Sequence, residues 1–187
     1  TRLFLKPGEE IRTPLIAALK FLEHEKLVEV KPRRGFFVRL FSIEEMISIF
    51  EIRELLEGLS ARRAAKCITA EQARAMHEIF KDFESVDDIV DYPAYARADK
   101  MFHTFVAEIG SREFLTTILQ TLNIITLAYQ TVDSEGLIRE PNSTIKDHLQ
   151  IIEAICRHDA KQAEELMRRH LQQAIVTLQA SSPPTAP

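Results

Sequence analysis

The stretch TPLIAALKFLEHEKLVEVKPRRGFFVRLF, residues 13–41, changes its hydrophobic period once, and that change decides the fold class. In residues 13–26, Leu15, Ala18, Leu19 and Leu22 recur at the spacing of one helix face. Thr13 suits the N-cap of this helix and Pro14 its first turn. From Leu27 the period becomes two. Runs of β-branched and aromatic residues flank Pro32-Arg33-Arg34-Gly35, which predicts a β-hairpin with a basic tip.

After Leu40 the period of two does not return. Ser42 with Glu45 forms a capping box and opens a long helix to about Cys67. Thr69 with Gln72 opens the next, to about Phe83. Helical stripes follow over 93–109, 112–132, 143–157 and 160–180, with Asp159 capping the last. Their short connections predict an antiparallel bundle. The expected chain is mainly α. A helix-and-hairpin unit covers 1–40, a helical domain 41–180, and a disordered tail 181–187.

Charge separates along the same boundary. Residues 1–40 carry nine Lys/Arg against five Glu, a surplus of four positive charges. The remaining residues carry fifteen Lys/Arg against 23 Asp/Glu, a surplus of eight negative charges. A basic N-terminal unit on an acidic body points to nucleic acid. No apolar run is long enough to span a membrane, and no secretory signal pattern opens the sequence. Cys67 and Cys156 lie apart in helical patterns, where they read as small buried hydrophobes. A reducing cytoplasm is the expected location.

Four polar residues sit on apolar stripes. Asp99 and His103 share a face with Tyr95, Phe102 and Val106. His148 falls between Ile145 and Ile152, and His170 between Met167 and Ala174. Asp159, in the turn joining the last two helices, lies eleven residues from each of these two histidines. At about 1.5 Å per residue both stand about 15 Å from the turn, level with each other. One carboxylate and three imidazoles from three helices then converge. A lone inward histidine reads as a hydrogen-bonded core residue. Two at matched height beside an Asp-x-x-x-His pair favour a divalent cation, Zn²⁺ first, with Ni²⁺, Mn²⁺ or Co²⁺ as alternatives.

Such a centre suits either catalysis or sensing. A metal-dependent hydrolase adds a general base beside the cation, and Asp99-Lys100-Met101-Phe102-His103 places no Glu between the ligands. Nucleophile-elbow, P-loop and dinucleotide fingerprints are absent from the sequence, which has only five glycines. Arg53 is the candidate for holding the carboxylate of a small ligand on the cation. Its alternative role is a surface pair with Glu57 one turn away. A metal-free helical dimerisation module is a third reading.

These residues resemble a family, the GntR-type bacterial transcription regulators of the FadR subfamily with an FCD ligand-binding domain. LKPGEEI and RTPLIAALKFLEHEKLV resemble parts of their winged helix-turn-helix, and VKPRRGFFV its wing. FEIRELLEGLSARRAA, DKMFH, DHLQIIEAI and AEELMRRHL resemble successive FCD motifs. The resemblance implies a homodimer that binds operator DNA and answers to a small carboxylate effector. It implies a metal held by Asp99, His103, His148 and His170, with Arg53 lining the effector pocket. It places Arg12 and Thr13 on the recognition helix and Arg33, Arg34 and Gly35 at the wing tip. The family carries a further helix and turn where Ile11 here runs directly into Arg12. Ile16-Ala17 replaces a usual Arg-Glu. Arg112 stands where relatives often have Asn, which implies an effector contact with a more anionic ligand.

Overall fold

The computed structural model describes the backbone of residues 9–84, 88–133 and 138–181, and the side chains of 13–84, 88–126 and 138–181. Seven α-helices and two strands lie among the described residues. The chain divides into two compact units between Phe41 and Ser42.

The first unit contains α1 (Glu9–His24), β1 (Val28–Lys31) and β2 (Gly35–Val38). Here α1 starts earlier than the sequence predicts and carries Pro14 inside it, so Thr13 is not its cap. The helix is continuous across Ile11–Arg12, so no turn separates those two residues. At its C-terminus Leu27 N–H donates to Leu22 O and Lys26 N–H to Glu23 O, both at 3.0 Å. Lys26 occupies the left-handed position of that cap, with φ 61°. The two strands pair antiparallel from Val28↔Val38 to Lys31↔Gly35. Pro32 presets the turn, Arg34 N–H donates to Lys31 O at 2.9 Å, and Arg33 takes φ 61°. Leu19 and Val28 form the buried centre of this unit.

The second unit is all helical: α2 (Ile43–Cys67), α3 (Ala70–Glu78), α4 (Tyr92–Gly110), α5 (Glu113–Asp133), α6 (Pro141–Cys156) and α7 (Ala160–Ser181). Both capping boxes form as the sequence predicts. Below the second, α3 stops at Glu78 rather than Phe83, and one turn of 3-10 helix covers Lys81–Phe83. The break lets Phe80 turn fully into the core. Cys67 is exposed at the end of α2, not buried as its helical pattern implies. The tail expected after residue 180 lies outside the described residues, apart from Ser181.

Long α2 packs against α7 and α4. Its buried stripe mixes Met46 and Phe50 with small residues, Gly58, Ala61, Ala64 and Ala65. The small residues allow close approach. A Cβ at Gly58 would meet the Arg168 side chain, and one at Gly110 would meet the Ser60 carbonyl. Burial of Phe102, Val106, Ile151 and Ile152 contributes about 1.5–3 kcal/mol for each side chain. At the α6–α7 turn, Asp159 N–H donates to Ala154 O and His158 takes φ 60°. Asp159 then caps α7 by accepting from Gln162 N–H at 3.0 Å. This tight turn sets α6 and α7 in matched register, and the site depends on that.

Candidate metal centre

Asp99, His103, His148 and His170 meet inside the bundle. One ligand atom from each lies within 4.8 Å of those from the other three. Donors at about 2.0–2.1 Å around a tetrahedral Zn²⁺ stand about 3.4 Å apart, so side-chain shifts of about an ångström close the set on one ion. The His148 and His170 ring centroids are 4.5 Å apart, which agrees with the equal heights read from the turn. All three histidines are buried, whereas the Asp99 side chain keeps 21% of its exposure. The carboxylate therefore sits on the solvent side of the cluster.

Each histidine is held through its Nδ1 by a different partner. His103 Nδ1 donates to the Glu57 carboxylate. His170 Nδ1 lies 3.3 Å from Asp147 Oδ2, an oxygen that also accepts from Arg139 at 2.8 Å. A carboxylate only accepts, so the His103 imidazole carries its proton on Nδ1, whereas His170 Nδ1 also stands 3.3 Å from the Arg139 guanidinium, which only donates. His148 reaches the same state as His103 through a longer chain. Its Nδ1 is 3.1 Å from the Tyr95 hydroxyl, which is 2.8 Å from Thr144 Oγ1. Thr144 donates to Pro141 O at 3.2 Å, and a carbonyl can only accept. Followed back from that carbonyl, Tyr95 donates to Thr144 and His148 donates to Tyr95. His148 Nε2 is left with a bare lone pair.

That lone pair is buried with no hydrogen-bond partner. It lies 3.4 Å from Asp99 Oδ1, another acceptor. Two acceptors face each other with no proton between them, and a cation removes the conflict. Phe80 stacks on the His148 ring at 4.7 Å and fixes its plane. Burial, with His170 and His103 beside it, holds the His148 pKa well below the usual value, so the ring stays in its neutral, ligating form. Burial also lowers the pKa of His170 against the opposing pull of Asp147. The residues present thus fit a divalent cation in donor type, protonation and geometry.

Arg53 is inside, although it also pairs with Glu57 as the surface alternative expected. Its Nε donates to Glu57 Oε1 at 2.7 Å and its terminal nitrogen to Thr126 Oγ1 at 3.2 Å. Burial alone would raise the Glu57 pKa, but Arg53 and His103 outweigh it and hold the carboxyl at about 2. A small cavity of about 30 Å³, open to solvent at its mouth, adjoins the cluster. Arg53, Asp99, His103, His170 and Arg139 line it.

Arg112 is exposed at the start of α5 and does not line this cavity. In the first unit Thr13, Arg33, Arg34 and Gly35 are exposed. Arg12 lies in α1, with its side chain outside the described residues. Sequence reasoning missed Tyr95 as a hydrogen-bonding group, and missed Glu57, Asp147 and Arg139 as neighbours of the site. Only Glu57 left a signal, its i+4 spacing from Arg53.

A family model described as the FCD domain matches residues 48–173, two thirds of the chain. The chain belongs to the FCD-domain group of GntR-type transcription regulators. The HTH-type transcriptional repressor RspR of Escherichia coli K12 is 24% identical over 164 residues, covering 87% of this chain and 71% of RspR. The HTH-type transcriptional repressor NanR of the same strain is 29% identical over 132 residues, 70% of this chain and 49% of NanR. Among solved structures, E. coli McbR/YncC superposes with TM-score 0.75 at 17% identity, over 90% of this chain and 80% of that one. A GntR regulator from Rhodococcus sp. RHA1 gives 0.72 at 17% identity, over 92% and 82%. The FCD match spans all four clustered residues, from α4 through α7.

Proposed function

We propose that this chain is a ligand-responsive regulator that reads operator DNA as a homodimer. In this reading its FCD domain holds a divalent cation, Zn²⁺ in the first instance, through Asp99, His103, His148 and His170. A small carboxylate joins the cation and Arg53. The effector acts by binding one state of the bundle more tightly than another, since equal binding would shift nothing. Arg12, Thr13, Arg33, Arg34 and Gly35 are the proposed DNA contacts, and the cytoplasm the proposed location. No helix among the described residues is long and apolar enough to cross a membrane.

One observation carries the metal reading: the buried Nε2 lone pair of His148 facing the Asp99 carboxylate at 3.4 Å. A hydrogen-bonded core would place a donor there. Self-association is supported by Ile52 and Leu55, exposed one turn apart on α2, and by Ile124, exposed on α5. The hydrolase alternative lacks support because the neighbouring acids are committed. Glu57 serves Arg53 and His103, and Asp147 serves Arg139 and His170.

The test is elemental analysis of the purified protein beside the His148→Ala/His170→Ala double variant. About one transition metal per chain, lost in the variant, is the expected result. No metal in the wild type after incubation with Zn²⁺, Ni²⁺ and Mn²⁺ defeats the reading. Operator binding with and without carboxylates then tests the coupling.

A further inference from the structure

We infer that the ligand of this cavity is a monocarboxylate with a short apolar tail, and that the site discriminates against dicarboxylates. The inference rests on the reading above, in which a cation and a carboxylate share the cavity. Its basis is the balance of fixed charge. The carboxylates of Glu57, Asp99 and Asp147 stand in or directly behind the wall. The guanidiniums of Arg53 and Arg139 face them. The three imidazoles ligate as neutral groups. A divalent cation added to two guanidiniums and three carboxylates leaves one positive charge uncompensated. A single carboxylate completes the balance. A second would be a surplus charge in a partly desolvated site, which is costly without a partner.

The rest of the wall agrees. Its apolar lining is Phe50, Ile138, Leu171 and Ala174, which offer contact to a hydrocarbon tail, and the Thr144 hydroxyl beside them is already committed to Tyr95 and Pro141. Both guanidiniums are anchored. Arg53 is held by Glu57 and Thr126, and Arg139 by Asp147 and by Ser143 Oγ at 3.0 Å. A second anionic group would have to take one of them from its carboxylate. Arg112, which implied a more anionic ligand, lies elsewhere on the surface.

The experiment uses the whole chain loaded with Zn²⁺, its metal content checked by elemental analysis before any acid is added. Butyrate and succinate, equal in carbon count, are titrated calorimetrically. Butyrate is expected to bind at least about tenfold more tightly. In Asp147→Asn, which keeps an acceptor for His170 and removes one negative charge, the preference should move at least about tenfold towards succinate. Equal or tighter binding of succinate to the wild type overturns the inference, as does failure of both acids to bind metal-loaded protein. A ratio unchanged in metal-loaded Asp147→Asn also overturns it. A wild type that takes up no cation is a different failure, that of the underlying metal reading, and shows at the elemental analysis.

Discussion

The Tyr95 hydroxyl lies 3.1 Å from His148 Nδ1 and so turns the other nitrogen of that ring towards Asp99. Burial, with Asp99 nearby, raises the Tyr95 pKa, so the phenol keeps its proton and donates it in a hydrogen bond to Thr144. Tyr95→Phe removes the acceptor that selects the tautomer. Metal affinity should fall about 10–100-fold, the usual effect of losing an outer partner of a ligating histidine. A competitive chelator titration reads this. Affinity unchanged in the variant would show that the chain from Pro141 does not orient His148.

Glu57 compensates Arg53 at a buried position. Glu57→Ala leaves a buried guanidinium without its partner and should destabilise the protein by about 3–5 kcal/mol. Urea denaturation with a chelator present separates this from metal loss. The double variant Arg53→Met/Glu57→Leu should be clearly more stable than Glu57→Ala, because both charges are then gone. A double variant as unstable as the single one would mean that shape, not charge, holds this position.

Helix α4 passes α2 where Gly110 touches the Ser60 carbonyl. Gly110→Ala forces the helices apart. The overpacking cost is about 1–3 kcal/mol, set against a gain in helix propensity of up to about 1 kcal/mol. Net destabilisation is expected in thermal unfolding, with a loss of metal affinity because α4 carries Asp99 and His103. A variant at least as stable as wild type would place the two helices further apart than described.

The wing tip lies in the other unit and should act only on DNA. Arg33→Ala/Arg34→Ala is expected to weaken operator binding and to reduce the slope of log affinity against log salt by up to about 2. Metal content should not change. A salt slope equal to that of the wild type rules both arginines out as phosphate contacts.

Removing the cation should loosen the bundle, since only the folded state brings the four ligands together. At a free metal concentration about 100 times the dissociation constant, binding adds about 2.7 kcal/mol of stability. A chelator should lower the melting temperature of the wild type and leave that of His148→Ala/His170→Ala unmoved. Equal shifts in both would place the metal somewhere else.

The sequence by itself determined what depends on neighbours along the chain. The change of period at Leu27, the boxes at Ser42 and Thr69, and the cap at Asp159 each involve residues within one or two turns, and each forms. The level placement of His148 and His170 was legible for a related reason. A constant rise per residue and one tight turn fix two helices in register. Where α3 ends was not legible, because burial of Phe80 in the core overrides its local helical pattern. Nor was the surrounding shell. Glu57 meets His103, Asp147 meets His170 and Arg139, and Tyr95 meets His148 only because particular faces of α2, α4, α6 and α7 press together. Spacing within one helix shows which residues share a face. Which neighbour that face meets is decided by close contacts such as Gly110 on Ser60, and those exist only in the folded bundle.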